Sequence, residues 1–384
     1  YAIGRGDIPG AVVVVVKDGD ILFSRGYGHA DVAARKPVDP AQTLFRVGSV
    51  SKLVTWTAVM QLVEQGKLDL DTDVNAYLDF KIPAREGKPF TLRDIMTHTT
   101  GLEERVHGLI SSDPEAMTSL GEYLAAWVPT RIFAPGTTPA YSNYATGLAG
   151  YIVERVSGQS FDDYVEANIF RPLGMAHSSF RQPLPESLKP FMSKGYASGE
   201  PEPKPFELVN PAPAGSMSAS GEDMARFMIA HLQDGAFDGG RILEEGTARM
   251  MHETARTVLP PLNRMLLGFY ESNVNGHRVI SHGGDTQWFH SQLNLFPDDG
   301  IGLFVSMNSG GKEGVSNNIR GALFHGFADR YLPGPEPDGQ VDEATAKEHA
   351  QQIAGIYANS RRSDDTFISM INLPGQVEVV ATPD

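Results

Sequence analysis

Three short groups of residues in this chain carry side chains suited to bond-breaking chemistry: Ser49-Val50-Ser51-Lys52, Tyr141-Ser142-Asn143 and His282-Gly283-Gly284. A serine hydroxyl is a weak nucleophile until a neighbouring base takes its proton, and an amine held neutral can be that base. Ser49 and Lys52 stand three apart at the start of an apolar run, so in a first helical turn they share one face. A helix N-terminus there would add N–H groups and positive dipole where an oxyanion forms. Tyr141, at the mouth of a second helix, could lose its proton to a nearby cation's field and shuttle protons to a leaving group. Asn143 offers an amide to hold a substrate amide. His282 ends an extended run, and Gly283 and Gly284 would let a ligand approach the backbone closely.

Each group alone also fits a plainer role. Ser49 and Ser142 are good helix caps, and Lys52 could be a solvated helix residue. The same spacings recur at Ser309-Gly310-Gly311-Lys312 and Tyr357-Ala358-Asn359. The Ser309 copy lies in a glycine-rich stretch with no helix behind it and reads as a loop. The other histidines, including His98, His107 and His177, lack metal-ligand spacing and read as structural.

The elements that must position these groups can be placed from pattern. Leu53, Trp56, Met60 and Val63, with Val59 and Leu62 beside them, give an amphipathic helix that Gly66 stops. Ala11–Val16 is a β-branched run, and Asp18-Gly19 turns it into a hairpin with Ile21-Leu22-Phe23. From Asp69 to about Gly215 helices alternate with Pro/Gly loops: Leu92–His98, Glu122–Val128, Asn143–Val156 stopped at Gly158, and Phe161–Phe170 capped by Ser160. Gly221–Leu232 is another helix. Strands return as Leu266–Ser272, His277–His282, Gln287–Phe296 and Ile301–Met307, and Glu313–Leu332 is a closing helix.

Strands at both ends with helices between predict an α+β fold: an antiparallel sheet flanked by helices, with an inserted all-helical subdomain. The sheet subdomain takes about 1–68 and 216–332, the helical one about 69–215. The cleft between them is the expected ligand site. A linker follows at 333–341. The extension 342–384 holds a helix (Asp342–Ile353) and two expected strands, Phe367–Ile371 and Gln376–Ala381, too few for a domain of their own.

Composition removes several classes. A net charge of −15 argues against nucleic acid and against a polybasic membrane surface. The longest apolar run, Ala11–Val16, is far too short to span a bilayer. With no cysteine there is neither a disulfide, a thiolate metal site nor a Cys nucleophile. That fits an oxidising compartment, and the chain begins at Tyr1 without Met, so a periplasmic or extracellular location is expected, with the cytoplasm the alternative.

The three groups together, in this order and each in its expected element, resemble the class C β-lactamase, serine D-Ala-D-Ala carboxypeptidase and family VIII esterase superfamily, peptidase family S12. The resemblance extends to Ile8-Pro9-Gly10, Phe45-Arg46-Val47-Gly48-Ser49, Leu68-Asp69-Leu70-Asp71, Met96-Thr97-His98-Thr99-Thr100-Gly101-Leu102, Pro172-Leu173-Gly174-Met175 and Phe296-Pro297, and covers roughly Ile8 to Leu332. It implies a serine hydrolase of small molecules or short peptides, needing no cofactor and no metal. Ser49 would be the acylated nucleophile, Lys52 and Tyr141 the base and acid pair, and Asn143 a substrate contact. The backbone N–H groups of Ser49 and Asp285 would form the oxyanion hole.

His282 stands where many members carry lysine, and Trp288-Phe289 where the family often has Gly-Phe, which would put bulk near the pocket. A lysine would present fixed charge to a substrate carboxylate, whereas a histidine is mostly neutral at pH 7. That favours a peptidase or esterase, acting on peptides with D-residues or short esters, over a β-lactamase. From another class, a penicillin-binding sensor or scaffold would acylate without turnover, though retention of all three groups weighs against it. An α/β-hydrolase is disfavoured because no G-x-S-x-G elbow occurs. Near Gly355-Ile356-Tyr357 and Ser360-Arg361-Arg362-Ser363 the tail weakly resembles the start of an accessory β domain. Oligomeric state stays open.

Overall fold

A computed structural model of the chain describes residues 7–197, 202–257, 264–334, 341–372 and 374–382. The five consecutive valines Val12–Val16 lie in strand β1 (Gly10–Lys17), which pairs with β2 (Asp20–Asp31) across the Asp18-Gly19 turn. Both turn residues have positive φ, at 50° and 94°, as a two-residue hairpin loop of this hand requires. β3 (Lys36–Pro37) completes that edge. On the other side β1 pairs with β9 (Ile301–Met307), and the sheet continues through β8 (His290–Phe296), β7 (His277–Asp285), β6 (Tyr270–Val274), β5 (Met265–Leu266) and β4 (Thr254–Arg256). All neighbours are antiparallel.

β1 is apolar at nearly every position because both faces are covered. Val12, Val14 and Val16 enter the main core, which includes Met224, Phe227 and Met228 of a helix at Gly221–Leu232. Ala11 and Val13 meet Val315, Ile319 and Leu323 of a helix at Val315–Tyr331 on the opposite face.

The helices, in chain order, are α1 (Ser51–Glu64), α2 (Leu92–Met96), α3 (Leu120–Ala126), α4 (Asn143–Ser157), α5 (Phe161–Val165), α6 (Gly221–Leu232), α7 (Glu245–His252), α8 (Val315–Tyr331) and α9 (Glu343–Ile353). Several of their starts follow capping chemistry: Thr91 and Asp94 form a reciprocal capping box, as do Ser119 and Glu122, while Ser142 and Ser160 cap α4 and α5. Gly66 (φ 68°) and Gly158 (φ 72°) take the left-handed stops expected of them. The antiparallel sheet flanked by helices is as expected. The inserted segment, expected as all-helical, also carries two-residue strands such as Ile110–Ser111 with Leu208–Val209, too short to show any periodicity.

Several expected elements fall differently, each for a local reason. α1 is buried on every side from Ser51 to Leu62, so it is a central helix rather than an amphipathic surface one. Its polar residues find partners: Thr57 Oγ1 donates to the Leu53 carbonyl at 2.8 Å, and Gln61 Nε2 to the carbonyls of Asn168 and Ile242. Trp56 lies against Gly268, where an added Cβ would come within 2.0 Å of the indole. Gly268, at φ 98°, thereby breaks the expected strand Leu266–Ser272 into β5 and β6. Truncating Trp56 to alanine would cost about 3–5 kcal/mol. β8 starts at His290 instead of Gln287, because Glu207 accepts from Thr286 Oγ1 and Gln287 N and bends the chain there. Phe367–Asn372 is a 3₁₀ turn, not a strand, and Val377–Val379 pairs with Gly355–Tyr357. Most of the expected linker, 335–340, lies outside the described residues.

Candidate active site

The turn Gly48–Val50 leads into α1, and β7 passes directly beside it. Two glycines permit the approach. A Cβ on Gly284 would sit 2.0 Å from the Val47 carbonyl and 3.0 Å from Ser49 N. A Cβ on Gly48, whose φ is 54°, would meet Asp285 N at 2.6 Å. The backbone amides of Ser49 and Asp285 are therefore neighbours, as an oxyanion hole of two N–H groups needs. The Asp285 side chain turns elsewhere, to His290 Nδ1 at 2.7 Å and Arg320 at 3.0 Å.

Lys52 has no solvent exposure. Its Nζ lies 3.1 Å from Ser49 Oγ, 2.8 Å from Asn143 Oδ1 and 2.6 Å from the Ala214 carbonyl. Burial pushes the amine well below the usual lysine range; Glu104 opposes that shift and Arg361 adds to it. In the neutral amine two N–H groups serve Asn143 and Ala214, and the lone pair is left facing the Ser49 hydroxyl. Asn143 thus holds the Lys52 amine, a contact closer at hand than the substrate amide expected of it.

Tyr141 stacks over Lys52, with Nζ 4.7 Å from the ring centroid, and its oxygen is within hydrogen-bonding reach of Ser49. The expected phenolate character is not found. Burial raises the phenol's pKa and Tyr270 adds to it, outweighing the Ser49 hydrogen bond and the Arg361 charge that lower it, so the group stays protonated. A protonated tyrosine beside Ser49 can act as a proton donor.

His282 is buried, with Nδ1 2.6 Å from the Gly283 carbonyl. A carbonyl only accepts, so Nδ1 carries the hydrogen and Nε2 is left as an acceptor, with no partner among the described residues. Burial first, and the Lys52 charge second, lower its pKa to about 3. The imidazole is neutral through physiological pH.

A cavity of about 500 Å³ is lined by Ser49, Tyr141, Asn143, His282, Gly283 and Asp285 among others, so the structure brings every expected site residue together. Trp288 and Phe289 do not line it. Trp288 packs on Gly195 and Phe289 on Phe45, because the Glu207-bound turn faces them away. Ser309 is a buried loop residue accepting from Gly311 N. His98 packs its ring 4.4 Å from Tyr141, while His177 stands edge-on to Phe191.

Among the lining residues that escape pattern reading are Tyr270 and Arg361. Arg361 comes from the tail and places its guanidinium carbon 4.7 Å from the centroid of the Tyr141 ring. Only the cluster of two arginines between serines marks that stretch in sequence.

The chain belongs to the Beta-lactamase family, whose model matches residues 2–325. It is 31% identical over 324 residues to penicillin-binding protein 4 of Amycolatopsis lactamdurans, covering 79% of this chain and 81% of that protein. It is 32% identical over 236 residues to a β-lactamase of Yersinia enterocolitica, covering 61% of this chain and 57% of that protein's length. An octameric penicillin-binding protein homologue from Pyrococcus abyssi shares the fold at a TM-score of 0.72 and 24% identity, over 93% of this chain and 80% of that one.

Proposed function

We propose that this protein is a serine hydrolase that forms an acyl-enzyme on Ser49 and cleaves amide or ester bonds of small substrates. Lys52 takes the Ser49 proton as Oγ attacks the substrate carbonyl, and the Ser49 and Asp285 N–H groups hold the oxyanion. Tyr141 gives its proton to the leaving group as the carbonyl–leaving-group bond breaks, and is reprotonated through Lys52. Water then repeats the attack on the ester, releasing the acid and restoring Ser49. The observation that carries this reading is the buried, neutral-leaning Lys52 at 3.1 Å from Ser49, with both competing N–H groups already engaged.

The preferred substrates are peptides with D-residues or short esters, ahead of β-lactams. Support comes from His282, which is neutral where a lysine would present fixed charge. The alternative, a class C-like β-lactamase, is favoured by the similarity to the Yersinia enzyme. A rate panel on one protein batch separates them: nitrocefin, short-chain nitrophenyl esters, and D- against L-alanyl amides. Ester or D-alanyl turnover ahead of nitrocefin is expected. Nitrocefin turnover well above both would put the β-lactamase in its place. A single Ser49 adduct without turnover of any would mark a penicillin-binding sensor.

A further inference from the structure

The tail residues 359–365 form a strap tied down along its length, with Arg361 lining the Ser49 cavity and Asn359, Ser360 and Arg361 lining the cavity beside it. Ser360 Oγ donates to the Pro139 carbonyl at 2.5 Å, and Glu104 N donates to the Arg362 carbonyl at 2.9 Å. Glu103 Oε2 accepts from Ser363 Oγ at 3.1 Å and from Asp364 N at 2.8 Å. The Arg362 guanidinium lies 5.2 Å from the Phe133 ring centroid. Glu103, which is buried, and Glu104 beside it, just after the Met96–Leu102 landmark, both hold this strap.

What the strap delivers is Arg361. Its Nε pairs with Glu104 Oε2 at 2.5 Å, which fixes the side chain over Tyr141. The two Nη groups have no hydrogen-bond partner among the described residues, while the side chain borders both the Ser49 cavity and a neighbouring one of about 590 Å³. An arginine used only through Nε still offers an end-on fork of two N–H donors, the shape that takes a carboxylate bidentately. The other arginines of the neighbouring cavity are spoken for: Arg256 by Asp94 and Gly136, and Arg264 by Glu271. His282 supplies no charge in the third motif, so Arg361 is the cation placed to meet an anionic substrate group.

We propose that Arg361 is a specificity residue that binds a carboxylate on the leaving-group side of the substrate, and that the C-terminal strap exists to carry it. The side follows from Tyr141, which lies directly beneath the guanidinium and, in the hydrolase reading on which this inference rests, protonates the leaving group. Charge recognition has thus moved from the third motif to the tail.

The test is a pair of D-alanyl thioesters differing only in the leaving group, thioglycolate with a free carboxylate against its methyl ester. Wild type, Arg361→Gln and Arg361→Lys are compared by the ratio of kcat/KM for acid over methyl ester. Arg361→Gln is expected to lower that ratio on the order of 10- to 100-fold, as loss of a charge-assisted hydrogen bond does, and Arg361→Lys to recover part of it. Glu103→Ala, which loosens the strap without touching Arg361, should lower the ratio in the same direction. A ratio unchanged within about twofold in Arg361→Gln, whatever happens to the absolute rates, overturns the proposal. Absence of a fluorophosphonate adduct on wild-type Ser49 would instead overturn the hydrolase reading, and this one with it.

Discussion

Asn143 Oδ1 accepts from Lys52 Nζ at 2.8 Å, and this contact decides which side of the amine faces Ser49. Burial holds the amine well below its usual range, so acylation should rise with pH through that lowered pKa and level off well before an ordinary lysine would titrate. Replacing the amide by an acid, Asn143→Asp, sets an anion against Lys52 and favours its charged form. The acidic limb of the acylation pH profile should then move up by about one unit or more. Stopped-flow acylation between pH 5 and 10 measures it; an unmoved limb means Lys52 is not the group being read.

Lys52 and Tyr141 both converge on the Ser49 hydroxyl. Lys52→Ala and Tyr141→Phe should each lower kcat on the order of 100-fold or more, as loss of general acid–base catalysis does. The double variant should be little worse than the singles, because residues acting as a unit are not additive. Losses that multiply would show two independent roles.

Much of this site was legible in the sequence because nearest neighbours carry it. Ser49 and Lys52 sit one helical turn apart, and Ser142 starts α4 by a cap that any sequence reader can see. Val12–Val16 and Asp18-Gly19 likewise announce their strand and turn. What failed needed tertiary contacts. Gly268 breaks a strand because Trp56 lies against it, and the Tyr141 phenol stays protonated because burial, unseen in sequence, raises its pKa. Arg361 lies 220 residues beyond Tyr141, and nothing local ties the two together.

Gly284 is required by distance rather than flexibility. In Gly284→Ala the new methyl would lie 2.0 Å from the Val47 carbonyl, so β7 must withdraw from the Ser49 turn. The two oxyanion amides then separate. Acylation should fall on the order of 100- to 1000-fold, the worth of an oxyanion donor. Circular dichroism and thermal melting report whether the fold survives; a folded Gly284→Ala protein with near-normal acylation would refute the two-amide assignment.

Stability should depend on pH through the buried histidines. His282 sits at about 3 in the folded chain against roughly 6.5 when free, and His252 at about 4. Between those values the unfolded chain binds the extra proton, so this stabilisation is complete above about 6.5 and is lost as pH falls toward 3. His282→Gln removes one such group. Its Tm should fall less steeply than that of the wild type between pH 6.5 and 4.5, and equal slopes would contradict a buried neutral His282.

The central claim is that Ser49 is the residue acylated, chosen by its place one turn from a buried lysine and not by its spacing alone, since Ser309 has the same spacing. Intact mass spectrometry after incubation with a fluorophosphonate or a penicillin tests this most directly. The account predicts one adduct per chain, mapping to the peptide that holds Ser49 and absent from Ser49→Ala. An adduct that maps to Ser309, or that survives the Ser49→Ala change, would contradict it.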